Sequence, residues 1–227
     1  MPHWILHLET SGPTCSVALS DGPHCIDVML DASGDHNAVL AVYIKNILMY
    51  NNLNLKNLSA ISVNIGPGSY TALRIGVVMA KTLAFANRLP LIGAMGLEAL
   101  FKCSMIEYPD HGFYLPLIDA RRDDVYFALY GADGVPIIPA QFATLDEAWL
   151  ERLGVHGQSL VIAGSGSEKF SRIFADKLFK THTKPLDAST LVPIGWDLYN
   201  KNEFSEVSTL LPFYMKDPNI TSAKKKL

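Results

Sequence analysis

Cysteine is scarce in this sequence. Its 227 residues contain three, Cys15, Cys25 and Cys103, an odd number at scattered spacing. Neither a disulfide framework nor a CxxC metal site can be built from them, and a reducing compartment is expected. Charge of one sign is also lacking: 19 Lys+Arg against 22 Asp+Glu leave a net charge of −3. Without a strong basic field the chain is not expected to bind nucleic acid on its own by neutralising phosphates. No apolar run reaches the ~18 residues that a membrane-spanning helix needs. The opening Met-Pro-His-Trp-Ile-Leu-His-Leu-Glu has neither the cationic start nor the long apolar stretch of a secretory signal, so the expected address is the cytoplasm. Lys224-Lys225-Lys226-Leu227 fits neither a prenylation box nor a peroxisomal tripeptide, and is expected to be a solvated basic tail. Disorder is excluded by the 49% hydrophobic content and the small net charge. At roughly 100–200 residues per domain, the length suits one large domain or two small ones with a sizeable core.

Several chemical signatures are missing as well. There is no Walker GxxxxGK[ST] pattern and no GxSxG nucleophile elbow. Gly164-Ser-Gly-Ser lacks the third glycine of a dinucleotide fingerprint and reads as a turn with a serine cap. A helical metal site wants two histidines four apart, but four residues beyond His36 stands Leu40. His3 and His7 share one face of a strand without an evident third ligand. No metal, cofactor or catalytic residue is therefore expected.

What is present is a repeated arrangement of strands and helices. Trp4–Thr10, Thr14–Ser20 and Cys25–Asp31 read as an antiparallel meander. Asp35 caps a predicted helix from His36 to Asn51; a strand at Ala60–Ile65, a helix at Thr71–Asn87, a short strand at Leu91–Ile92 and a helix at Gly96–Cys103 follow. Phe113–Asp119 and Val125–Tyr130 then repeat the opening sequence of strand, acid, turn and strand. This reads as an internal duplication, with a boundary between Cys103 and Gly112. Thr144, with Glu147 three residues on, predicts a capped helix to Leu153. Leu160–Ala163 is a strand, Glu168–Phe179 and Ser189–Tyr199 are helices, and Leu210–Tyr214 is a last candidate strand.

Two of these helices, His36–Asn51 and Thr71–Asn87, are apolar nearly all round. A helix lying on a sheet in a small α/β domain keeps its outer face wet, so an outer face without polar residues points to a protein partner. Ala72, Gly76, Ala80 and Ala84 recur every fourth residue and form a stripe where another backbone can approach closely. Gly66-Pro-Gly-Ser-Tyr-Thr sits between strand and helix. It is either a tight turn or a place where helix N–H groups meet an anion. On the second alternative Thr10, Ser11, Gly66, Gly68, Ser69 and Arg74 are the candidate anion or nucleotide contacts. Arg121-Arg122, between two strands, could meet a phosphate or an acidic partner, or simply be solvated.

Ile5-Leu-His-Leu-Glu-Thr-Ser, Cys15-Ser-Val-Ala-Leu, Asn64-Ile-Gly-Pro-Gly-Ser-Tyr-Thr-Ala-Leu-Arg-Ile-Gly, Pro90-Leu-Ile-Gly, Leu117-Ile-Asp-Ala-Arg-Arg-Asp-Asp-Val-Tyr and Pro212-Phe-Tyr-Met together resemble the TsaB (YeaZ) family. The resemblance spans nearly the whole chain in order. It implies an α/β, actin-like (ASKHA, ribonuclease H-like) duplicated fold of two lobes with mixed sheets, residues 1–105 and 106–227. It implies a non-catalytic scaffold subunit in making threonylcarbamoyladenosine (t6A) in tRNA, beside a TsaD-like threonylcarbamoyltransferase and a TsaE-like ATPase. tRNA would be met through the complex, and the chain alone would form a homodimer. The dimer surface implied by the resemblance falls on the two apolar helices, so Val39, Tyr43, Ile47, Ala72, Gly76, Met79, Ala80 and Leu83 are the expected interface residues. The catalytic relatives carry a His-x-x-x-His pair, of which only His36 has a counterpart here. Glu9 stands where Asp is usual, and Ala72 where a glycine is common. The competing readings are an ASKHA-type ATP-dependent phosphotransferase or ATPase, motivated by Glu9, Asp119 and the glycine loops, and a glycoprotease-like peptidase.

Overall fold

The computed structural model describes residues 2–155, 159–175 and 177–216; the basic tail at 224–227 lies outside them. Two five-stranded mixed sheets are built in the same order. In the first, β1 (Trp4–Glu9), β2 (Cys15–Asp21) and β3 (His24–Asp31) form the meander, and β4 (Leu58–Gly66) and β5 (Leu91–Met95) add in parallel on the other side of β1, giving β3-β2-β1-β4-β5. In the second, β6 (Phe113–Asp119), β7 (Asp124–Gly131) and β8 (Pro136–Thr144) form the meander. Here β9 (Leu160–Ala163) and β10 (Lys180–His182) are the parallel additions, giving β8-β7-β6-β9-β10. The duplication read from the repeated strand-acid-turn pattern is therefore a duplication of topology, and the fold is the expected actin-like α/β class.

Helices occupy matching places in the two lobes. In the first lobe α1 (His36–Tyr50) links β3 to β4, α2 (Tyr70–Asn87) links β4 to β5, and α3 (Gly96–Glu107) follows β5. The second-lobe counterparts are α4 (Trp149–Arg152), α5 (Ser167–Ile173) and α6 (Val192–Asn200). The third helices are exchanged between lobes. Leu97, Leu100 and Phe101 of α3 pack with Tyr114, Ala128, Tyr130 and Val161 of the second sheet, whereas Trp196 and Tyr199 of α6 pack on Ile5, Ala60 and Ile92 of the first. A single cut near residue 105 thus falls inside α3, and the chain is back on the first lobe by residue 188, where Ala188 N–H donates to Ser16 Oγ of β2 at 2.9 Å.

The central strands have the composition of a sheet covered on both faces. Ile5, Leu6, Leu8, Val17, Leu19, Ile61 and Val63 are all 0% exposed. Burying such a side chain stabilises by roughly 1.5–3 kcal/mol before the entropy of ordering is counted. Polar groups are buried on these strands too, His7 among them. His7 packs under Gly195 of α6, where an added Cβ would lie 2.7 Å from its ring, and its Nε2 meets Ser20 Oγ at 2.9 Å. Burial pushes its pKa down to about 3, so the ring stays neutral.

Three sequence expectations differ from the structure. Thr144 ends β8 instead of capping a helix, and its hydroxyl donates to Asp124 Oδ1 at 2.7 Å. The cross-strand partner outcompetes the local cap, and only one helical turn, α4, follows. Helix α5 ends at Ile173, well before the expected Phe179. Leu210–Tyr214 forms no strand: it is part of an extended C-terminal segment in which Phe213 N–H donates to Ile65 O at 2.6 Å.

Candidate functional site

Helices α1 and α2 lie side by side on one face of the first sheet, α1 over β2 and α2 over β4. Helix α1 buries Leu40, Ile44, Ile47 and Leu48; helix α2 buries Ala72, Leu73, Gly76, Val77, Ala80 and Ala84. The small-residue stripe therefore faces inward. An added Cβ on Gly76 would stand 2.4 Å from Thr10 Oγ1, and that hydroxyl donates to Ala72 O at 2.8 Å. The stripe lets the α2 backbone sit close to the end of β1 in its own subunit. Ile47, Ala72, Gly76 and Ala80, expected at a partner interface, are instead internal packing residues, with Ile47 and Ala80 0% exposed.

The remaining expected interface residues fare differently. Val39, Tyr43, Met79 and Leu83 are half-buried, packed against the core below and open above. The Tyr43 hydroxyl donates to Asp31 Oδ2 at 3.4 Å. Beyond them, Val42 (50%), Met49 (53%), Val78 (61%) and Phe85 (79%) are exposed. Neither helix contains an acid; Lys45, Arg74 and Lys81 are their only charged residues. A signal for these missed residues exists in the sequence. Val42 and Met49, and likewise Val78 and Phe85, are seven apart, and each pair lies opposite its helix's inward residues.

The second feature is a cleft of about 2450 Å³ between the lobes. The β1–β2 turn, the start of α1 and the start of α2 form its first-lobe wall; the β6–β7 turn, the Gly164–Ser167 loop and residues 181–186 form the other. The C-terminal segment spans one side. Tyr214 stacks on Tyr70 with ring centroids 4.5 Å apart, Arg74 Nε donates to Tyr214 Oη at 3.0 Å, and Lys216 Nζ reaches Asp124 Oδ2 at 3.1 Å in the second lobe.

The six candidate anion contacts divide within this frame. Ser11, Gly68 and Ser69 line the cleft, but Ser69 N–H donates to Ser11 O at 2.8 Å and a Cβ on Gly68 would meet Ser11 at 2.6 Å. Thr10 and Gly66 are buried outside it: Thr10 bonds Ala72, and Gly66, at φ +133°, lies under the Phe213 carbonyl. Arg74 is held between Tyr70 and Tyr214. The glycine loop is thus occupied as a tight strand–helix turn. Both His36 ring nitrogens face backbone carbonyls, Nδ1 that of Gly34 at 3.0 Å and Nε2 that of Gly12 at 3.1 Å.

Glu9 is 1% exposed at the end of β1. Oε1 accepts the Ser11 N–H and Oε2 the Asn64 amide, each at 2.5 Å. Burial pushes its pKa up to about 7, although those hydrogen bonds pull the other way. Across the cleft the duplicated acid, Asp119, accepts from Lys169 Nζ at 2.9 Å. Beyond it the turn carries Arg121 at φ +72° and Arg122 at φ +50°. Left-handed backbone at two successive non-glycine residues costs roughly 1 kcal/mol or more at each.

Comparison with known proteins accords with this arrangement. A family model described as TsaD, tRNA N6-adenosine threonylcarbamoyltransferase, matches residues 30–217. The tRNA threonylcarbamoyladenosine biosynthesis protein TsaB of Bacillus subtilis is 32% identical over 178 residues, 77% of this chain and 76% of that protein. A Clostridium novyi tRNA N6-adenosine threonylcarbamoyltransferase is 37% identical over 79 residues, 35% of this chain but 23% of that protein. The solved structure of YeaZ from Pseudomonas aeruginosa superposes with a TM-score of 0.76 at 24% identity, covering 93% of this chain and 99% of that one, a likeness of fold. Similarity over about three quarters of both chains to TsaB, against a match to less than a quarter of the transferase, places the chain: it belongs to the TsaB family of tRNA threonylcarbamoyladenosine biosynthesis proteins, within the TsaD-like domain family.

Proposed function

We propose that this chain acts in t6A biosynthesis as a non-catalytic docking subunit, and that the outer face of α1 and α2 seats a TsaD-like paralogue. One observation carries this reading: exposed Val42, Met49, Val78 and Phe85 stand on two adjacent helices without a single acid. Val39, Tyr43, Met79 and Leu83 extend that face inward. Desolvating a contiguous apolar patch of this kind drives association, whereas scattered apolar residues do not. A paralogue is the natural occupant because the TsaD family model matches residues 30–217, a span that includes both helices, so a transferase of that family would offer a related pair. Without it, a second copy of this chain covers the face as a homodimer. A TsaE-like ATPase joins the assembled pair.

The non-catalytic assignment rests on engaged groups. Both Glu9 oxygens are occupied away from the cleft, the glycine loop is filled by Ser11 and Phe213, and both His36 nitrogens face backbone carbonyls of this chain. Asp35, the first-lobe carboxylate in the cleft wall, is likewise engaged, as the N-cap of α1 accepting the Ala38 N–H at 3.1 Å, which weakens the phosphotransferase reading. Coexpression with the transferase tests the proposal. Val78→Asp with Phe85→Asp should abolish co-purification while the folded content of this chain is kept. Co-purification at the wild-type level would overturn the docking assignment, and turnover of ATP by the isolated chain would overturn the non-catalytic one.

A further inference from the structure

We propose that the β6–β7 turn, through Arg121 and Arg122, is a contact for the phosphodiester backbone of RNA at the mouth of the cleft. This rests on the family's place in tRNA modification. Three observations meet at the turn. First, both residues line the cleft, and neither guanidinium makes a hydrogen bond or ion pair among the described residues. Second, every aspartate beside them is already matched to another cation: Asp119 to Lys169 at 2.9 Å, Asp123 to Arg172 at 3.4 Å and Asp124 to Lys216 at 3.1 Å. The two arginines are therefore cations of this corner without an ion-pair partner; Lys184 adds a cation to the cleft wall, and Asp35 and Glu168 are its acids outside those pairs. Third, the backbone holds them at φ +72° and +50°, which glycine or asparagine would adopt with less strain. A turn that keeps two arginines at such positions, unpaired and side by side, trades local ease for cationic reach.

The cleft leaves room for a large ligand. At about 2450 Å³ the cleft is several times a small-ligand pocket and takes a macromolecular segment. Guanidinium forks match phosphate oxygens bidentately. The contact is sequence-independent and positions the RNA without reading its bases. It also agrees with a net charge of −3: such a chain contributes two contacts to a shared surface and does not hold RNA tightly alone.

The test uses the assembled pair of this chain and the TsaD-like transferase, titrated with a fluorescent, unmodified tRNA transcript at several salt concentrations. Arg121→Asn with Arg122→Gly removes two charges while easing the backbone, so the variant should fold at least as well as the wild type. Lys56→Glu, on an exposed turn of the first lobe, changes the net charge equally and serves as control. The double variant should bind the transcript roughly ten-fold more weakly near 0.1 M salt, with the slope of log K against log[salt] shallower by about two. Pair assembly, followed by size exclusion, should be unchanged.

Wild-type affinity and slope in the double variant would overturn the proposal, as would an equal loss in Lys56→Glu. Loss of pair assembly would reassign the turn to an acidic protein partner. Loss of mononucleotide binding with RNA binding intact would reassign it to a small anion. Should the wild-type chain not assemble with the transferase, the docking reading fails separately. The same salt titration on this chain alone then decides the RNA contact.

Discussion

The two lobes share a strand order but not a surface. Helices α1 and α2 span 15 and 18 residues, whereas their counterparts α4 and α5 span 4 and 7. The long pair carries no acid and exposes Val42, Met49, Val78 and Phe85. The short pair carries Glu151, Arg152, Glu168, Lys169 and Arg172, and pairs its cations with Asp146, Asp119 and Asp123. One duplicated unit has thus been given an apolar, extended outer layer and the other a charged, minimal one. The fold does not require either choice, since both sheets close their cores. The difference lies in what each outer layer is made to meet, and that is where function is written on a shared scaffold.

The contrast breaks most sharply at the outer face. Val78→Asp with Phe85→Asp should weaken pairing with the paralogue by about 100-fold or more, on the scale of well-buried hot-spot residues, and leave the melting temperature nearly unchanged. Surface plasmon resonance against the transferase, together with a thermal melt, reads both. The same acidic charge added to exposed positions of α5 should do nothing to pairing, and an equal loss there would erase the distinction between the lobes.

Inward positions should behave in the opposite way. Gly76→Ala forces a methyl against Thr10 Oγ1, 2.4 Å from the ideal Cβ. Overpacking of this kind costs roughly 1–3 kcal/mol, and a chain of this size then melts several degrees lower. Once folded, the variant should still pair. Calorimetry that finds an undisturbed melt would show that α2 does not rest on Thr10.

Glu9 gives the first lobe a pH signature. Its folded pKa, about 7, lies above the ordinary glutamate value of 4.5. Below 4.5 both folded and unfolded chains hold the proton, and the cost of burying a charge is absent. Between 4.5 and 7 the unfolded chain ionises first, so stability falls as pH rises; above 7 the loss is complete, on the order of 3 kcal/mol. Denaturant melts across that window should show the decline, and Glu9→Gln should flatten it. A wild-type profile level from pH 4.5 to 7.5 would contradict the buried, proton-holding carboxyl.

The smallest effect belongs to the second lobe's surface pairs. Arg172 and Asp123 are 69% and 61% exposed, so Arg172→Ala should shift the melt by less than about 2 °C, and less still in high salt. A larger shift would mean that the charged layer is structural rather than solvating.

The order of strands and most helix boundaries were legible in the residues because period, caps and turns are local. The meander, the Asp35 cap, the glycine turn and the duplicated strand-acid-turn are each set within a few neighbours. That α1 and α2 carry too much apolar surface was equally plain. Which of their faces turns inward was not, because Ala72, Gly76 and Ala80 suit a partner's backbone and the protein's own strands alike. Tertiary contact chose the strands, since Thr10 at the end of β1 lies under α2. Thr144 had two suitors as well, an N-cap within its own segment and Asp124 across the sheet, and the distant one prevailed. Local chemistry wrote the elements of this chain; competition between near and far partners for the same small or polar side chains, decided only when the two sheets assemble, fixed which surfaces were left over for other molecules.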